Sequence, residues 1–135
     1  MPRSLAFAVI CAIGAFGPVH AQTAEDFDCA LAMQCTGAWD ACTRATGPAQ
    51  VQLREGSIIV TAMGDTFHFD EVTPDPFATG ARNLTASGLR FTPAPARSTI
   101  LLLSDDRLGV IVSEDPTNTG QFHASLSFAA DCPAP

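Results

Sequence analysis

The sequence predicts an all-β domain, a small antiparallel barrel or sandwich of about eight strands stapled by two disulfides. Three observations carry this. Short β-type runs recur between turn dipeptides such as Glu55-Gly56 and Asp105-Asp106. No stretch holds the 3.6-residue apolar period of a helix. Four cysteines, Cys29, Cys35, Cys42 and Cys132, remain once the expected leader is removed.

That leader is MPRSLAFAVICAIGAFGPVHA, residues 1–21. One arginine, Arg3, precedes an apolar run from Leu5 to Phe16, and Val19-His20-Ala21 supplies the small-residue ending of a secretory signal peptide. The run is too short to span a bilayer, and no second long apolar segment follows, so no membrane span is expected. Cys11 follows Ile10 inside the apolar run and lacks the setting of a lipid anchor. The exported chain is expected to begin near Gln22 and to form one domain over residues 22–135, periplasmic or secreted.

All fourteen acidic residues lie beyond residue 21. Removing Arg3 from the seven basic residues leaves six against fourteen acids, a net charge of −8. Nucleic acid is excluded as a partner, because a phosphate backbone calls for a basic face. A basic protein partner is compatible with that charge.

The first element expected is a strand over FDCALAMQC, where Phe27, Cys29, Leu31, Met33 and Cys35 alternate on one face. Extended, Cys29 and Cys35 stand roughly 20 Å apart at about 3.3 Å per residue, beyond disulfide reach. Two connectivities remain. An even cysteine count in a small exported chain reads as two bridges, and neither a zinc-type pair nor a C-x-x-C motif is present.

Val51–Arg54 and Ile58–Ala62 form the next expected hairpin, and Gly64-Asp65 turns into TFHFDEV at 66–72. TPDPFATGAR at 73–82 reads as the longest loop. Asn83–Ala86 and Leu89–Thr92 are expected to meet at a Ser87-Gly88 turn, followed by Thr99–Leu103, Leu108–Ser113 and Gln121–Ala130. In the last run Phe122, Ala124, Leu126, Phe128, Ala130 and Cys132 share even positions, so the inward face ends at a cysteine. Pairing Cys29 with Cys132 would lock first strand to last, and Cys35 with Cys42 would close a hook around Trp39. Cys29–Cys42 with Cys35–Cys132 stays open as the alternative.

Few groups offer chemistry, since the exported part has no lysine, tyrosine or free thiol. His68 and His123 flank phenylalanines and are expected on the outer face of separate strands. DPTNTG at 115–120 lacks the third, fifth and twelfth ligands of an EF-hand. Trp39 and the phenylalanines read as core, with Phe67, Phe69, Leu102, Phe122 and Phe128 filling the barrel. No cofactor, metal site or catalytic residue is expected.

LTASGLRF at 84–91 resembles the S-G-x-x-Y loop of the periplasmic inhibitors of C-type lysozyme, with Phe91 in the tyrosine's place. Phe27-Asp28-Cys29 and Asp131-Cys132 resemble that family's terminal cysteine positions. Its basic W-x-K-G segment has no counterpart in STILLLSDDRLG at 98–109. The resemblance implies a small barrel pairing Cys29 with Cys132 and presenting Ser87 on Gly88, with Arg90 and Phe91 beside them, to a lysozyme groove. The chain is also similar to small cysteine-stapled periplasmic proteins of Gram-negative bacteria, which imply no activity. Three functions are therefore expected to compete: a protein-binding inhibitor, a carrier of a small apolar molecule, and a structural envelope component.

Overall fold

The computed structural model describes residues 24–74, 82–91, 96–117 and 119–134. The expected signal segment and most of the 73–82 loop lie outside them. Ten antiparallel strands and no helix make up the described residues: β1 (Glu25–Thr36), β2 (Ala41–Arg44), β3 (Pro48–Arg54), β4 (Ser57–Ala62), β5 (Asp65–Phe69), β6 (Glu71–Pro74), β7 (Leu84–Arg90), β8 (Ala96–Leu103), β9 (Arg107–Asp115) and β10 (His123–Asp131). Their order is β5-β4-β3-β1-β10-β9-β8-β7-β6, with β2 as a side branch on β1. The sheet curls into a nearly closed barrel.

Alternation explains the core. Ala49, Val51 and Leu53 on β3 and Ile58, Val60 and Ala62 on β4 all point inward and are buried. Phe67 and Phe69 from β5 and Phe128 from β10 are buried together in the core, the rings of Phe67 and Phe128 lying 5.5 Å apart. Leu101, Leu108 and Val110 complete the filling. Burying each such side chain contributes about 1.5–3 kcal/mol.

Both disulfides are formed, Cys29–Cys132 and Cys35–Cys42. The first bridges residues 103 apart in sequence and ties the start of β1 to the residue after β10. The second joins residues seven apart in sequence and closes a short hook. Such bridges belong to an oxidising environment.

Four sequence expectations are corrected. The register shifts between Leu31 and Met33, so Cys29 and Leu31 face the core while Met33 and Cys35 pair with Ala129 and Ser127 on the outer side. The bulge aims Cys35 away from Cys29 and towards the hook. TFHFDEV is not one strand: it breaks at Asp70, β5 pairing with β4 and β6 with β7 at opposite ends of the sheet. The β4–β5 turn is Met63-Gly64, one residue earlier than expected, because Ala62 pairs with Asp65 and both turn residues have positive φ. Finally, Ser87-Gly88 is no turn; both lie within the unbroken strand β7.

Gly88 instead closes the barrel. A Cβ built on it would stand 2.0 Å from the His68 carbonyl oxygen, so only glycine lets the β5 backbone cross this close to β7. Thr99 Oγ1 donates to the same carbonyl at 3.3 Å. Arg97 bridges the seam by pairing with Asp65 at 3.0 Å.

Candidate functional site

Because alternate residues of a strand face opposite ways, the inward set fixes the outward one. With Leu84, Ala86, Thr99, Leu101, Leu103, Leu108, Val110 and Val112 buried, the central outward positions are Thr85, Ser87 and Leu89 on β7, Ser98, Ile100 and Leu102 on β8, and Gly109, Ile111 and Ser113 on β9, whose outward row begins at the exposed Arg107. None of the nine is charged. Leu89, Ile100 and Leu102 are 50, 48 and 56% exposed.

The ladders set large residues beside small ones except at the Ile100–Ile111 pair. Ile100 lies between Ser87 and Ile111, Leu102 between Thr85 and Gly109, and Leu89 opposite Ser98. Charge begins only at the margins. Glu71 on β6 accepts from Ser87 Oγ at 3.4 Å, and Arg107 pairs in register with Asp131 at the far end of β9.

Trp39 extends this face. Cys35–Cys42 holds its loop folded back on the barrel wall, and the Trp39 N–H donates to Ser127 Oγ at 2.9 Å, which accounts for a fully buried serine. Trp39 has a φ of 64°, a backbone conformation that a bulky residue adopts only at a cost. Its indole lies over the bare backbone of Gly109: a Cβ there would come within 3.7 Å of the ring. Since Gly109 pairs with Leu102, the indole and Leu102 are neighbours on one surface. The expectation that Trp39 is core is corrected, as it is 38% exposed.

The sequence-predicted binding residues divide between two surfaces. Ser87 faces outward within the apolar wall. Gly88 faces inward against β5, and is structural. Arg90 ends β7 opposite Arg97 and is exposed, while Phe91, one residue beyond the strand, is 63% exposed. Leu102, expected inside, is outside, because β8 places Leu101 and Leu103 inward. His68 on β5 pairs with Ile59 and His123 on β10 pairs with Glu114, in strands that are not neighbours. Among the described residues no group of three or more His, Cys, Asp or Glu side chains could hold a metal ion.

The buried Asp115 carboxylate accepts from the backbone N–H groups of Thr119 and Gly120 at 3.2 and 2.8 Å. At the rim beside the β4–β5 turn, Leu31, Gly47, Pro48, Gln50 and Met63 border an open depression of about 380 Å³. At the opposite rim, the buried Arg82 guanidinium pairs with Glu25, donates to the Pro133 carbonyl at 2.7 Å and stacks 3.9 Å above the Phe27 ring. That contact holds the Glu25 carboxyl below its ordinary pKa through the Arg82 hydrogen bond, against a smaller opposing effect of burial.

No protein-family model matches this chain, and neither a curated protein nor a solved structure matches it.

Proposed function

We propose that this chain is an exported, non-enzymatic binding protein that works through the outside of its barrel, at the β7–β9 wall and Trp39. The observation that supports this reading is the uncharged, apolar outer face beside a tryptophan preorganised by a disulfide hook. Contiguous apolar patches of this kind mark contact surfaces, and rigid aromatic anchors dominate binding energy at them. A carrier role draws no comparable support, because Phe67, Phe69, Phe128, Leu101 and Leu108 occupy the interior.

Site-specific photo-cross-linking tests the reading. A benzophenone side chain replacing Thr85, beside Leu102 on the wall, is expected to yield adducts in envelope extract. The same group replacing Gln52, on the opposite wall, is expected to yield none. Equal labelling from both positions would remove the assignment of the wall.

A C-type lysozyme inhibitor is the second reading, favoured by the charge of −7 on the full chain, which would draw a basic enzyme. Ser87 would then act from within a strand rather than from a loop tip. Unchanged lysozyme turnover at low salt with micromolar protein would exclude it.

A further inference from the structure

We propose that the occupant of the β7–β9 wall is a second copy of this chain, packed sheet against sheet about a two-fold axis. The inference rests on the reading of this wall as a contact surface and supplies its partner.

Charge is the first argument. A partner attracted by this acidic molecule from solution would be basic and would be met by carboxylates. The wall offers none at its nine central outward positions; its nearest carboxylates, Glu71 beside Ser87 and Asp105-Asp106 in the turn joining β8 to β9, lie at its margins, and Asp26, Asp28 and Asp65 stand elsewhere on the surface. Two acidic copies repel each other everywhere except where both are neutral, so their least costly contact joins two uncharged faces. Depletion of charge at the centre of the patch is also what distinguishes interfaces between like subunits.

Area is the second. The exposed parts of Leu89, Ile100, Leu102, Ile111 and Trp39 present on the order of 400 Å² of apolar surface, and the intervening Ser, Thr and Gly positions raise the footprint towards the ~800 Å² per partner of a standard interface. An anionic lipid surface would repel the same molecule.

Relief is the third. A two-fold interface must be self-complementary. Here Leu89 stands beside Ser98, Ile100 beside Ser87 and Leu102 beside Thr85 in register, while Ile100 and Ile111 form one ridge and Trp39 covers Gly109. Sheets stack about 10 Å apart when ridges of one face enter the hollows of the other. Leu89, Ile100 and Leu102 of one copy can therefore seat over the serines and threonines of its partner, with the two Trp39 rings at the ends of the contact.

Sedimentation equilibrium on the oxidised protein from about 1 to 300 μM reads the outcome, with Leu102→Glu and Ile100→Glu as wall variants and Gln52→Glu as the opposite-wall control. The expected result is a dimer for the native protein and Gln52→Glu, and a monomer for both wall variants, with at least a tenfold weaker association. Circular dichroism confirms that the variants fold, and Leu89→Ser provides a milder wall variant that adds no charge. Raising the salt should hold or tighten the dimer, since screening relieves repulsion between like-charged copies. A native protein that is monomeric throughout, or a dimer indifferent to all three wall variants, overturns the proposal. A monomer whose Thr85 position still cross-links to another protein in extract overturns the second copy alone and leaves the wall as a contact surface. A monomer that cross-links to nothing overturns both.

Discussion

The β3–β4 wall and the β7–β9 wall are built alike on the inside and differently on the outside. Both send every second residue into the same core. Outside, β3 and β4 show Gln50, Gln52, Arg54, Ser57, Ile59 and Thr61, with a single large apolar residue that is only half-buried. Outside, β8 alone shows both Ile100 and Leu102. A strand with one solvated face is polar on that face, whereas a strand covered on both sides reads as a continuous apolar run. The Ile100–Leu103 run has the composition of a strand covered on both sides, and one of its sides is open in the single chain.

The two walls are joined in two ways. Between β1 and β10 they share a bulged ladder from Ala30 to Thr36 and the Cys29–Cys132 bridge. At the other side, β5 lies against β7 and β8 through Gly88, Thr99 and the Arg97–Asp65 pair. Breaking the bridge by Cys29→Ser with Cys132→Ser should have the largest effect, a loss of about 4–5 kcal/mol for a loop of this length in the chain-entropy model, read by urea denaturation. A loss below about 1 kcal/mol would show that the ladder alone holds the walls together.

The inside–outside contrast is sharpest at two adjacent leucines. Leu101→Ala should cost about 2–4 kcal/mol by leaving a cavity, while Leu102→Ala, measured in dilute protein, should change stability by less than about 0.5 kcal/mol. Similar losses at both positions would mean that the wall is covered within the single chain.

At the glycine seam, Gly88→Ala should cost about 1–3 kcal/mol, because the added methyl meets the β5 backbone rather than a movable side chain. Hydrogen exchange should show β5 amides losing protection first, with β1 and β10 unaffected. Uniform loss across the barrel would argue against a local seam.

The smallest effect expected is acidic. Glu25 has a folded pKa below its unfolded value, so its contribution is fully present above the ordinary glutamate range of about 4.3 and is lost as pH falls through the folded value. Glu25→Gln should therefore flatten the acid limb of a stability curve below about pH 4.5 and also lower the neutral plateau slightly. An unchanged acid limb would mean that Arg82 gains nothing from the carboxylate.

What the sequence made legible follows from turn residues and periodicity. Short β-type runs between turn residues placed β3, β4, β8 and β9, alternation placed β10, and the inward direction of Cys132 favoured the correct bridge. The excluded Cys29–Cys35 pairing also held, although the bulge after Leu31 puts those cysteines on opposite faces; distance along the strand, not facing, kept them apart. Ser87-Gly88 was misread because a Ser-Gly pair between β runs is a turn signal locally, and only the approach of the β5 backbone at His68, distant in sequence, shows why the glycine is there. The wall was hidden for a similar reason. In ILLL every residue is apolar, so alternation cannot tell which two face out until neighbouring strands set the register.

The lone tryptophan of the chain lies at the edge of that wall and reports directly on whether it is covered. Acrylamide quenching of Trp39 fluorescence, measured from about 1 to 300 μM oxidised protein, is the most direct test. Quenching should fall at least twofold as concentration rises, with a blue shift in emission, and Leu102→Glu should abolish both changes. Quenching that stays constant in the native protein, or falls equally in Leu102→Glu, would contradict a wall covered by a second copy.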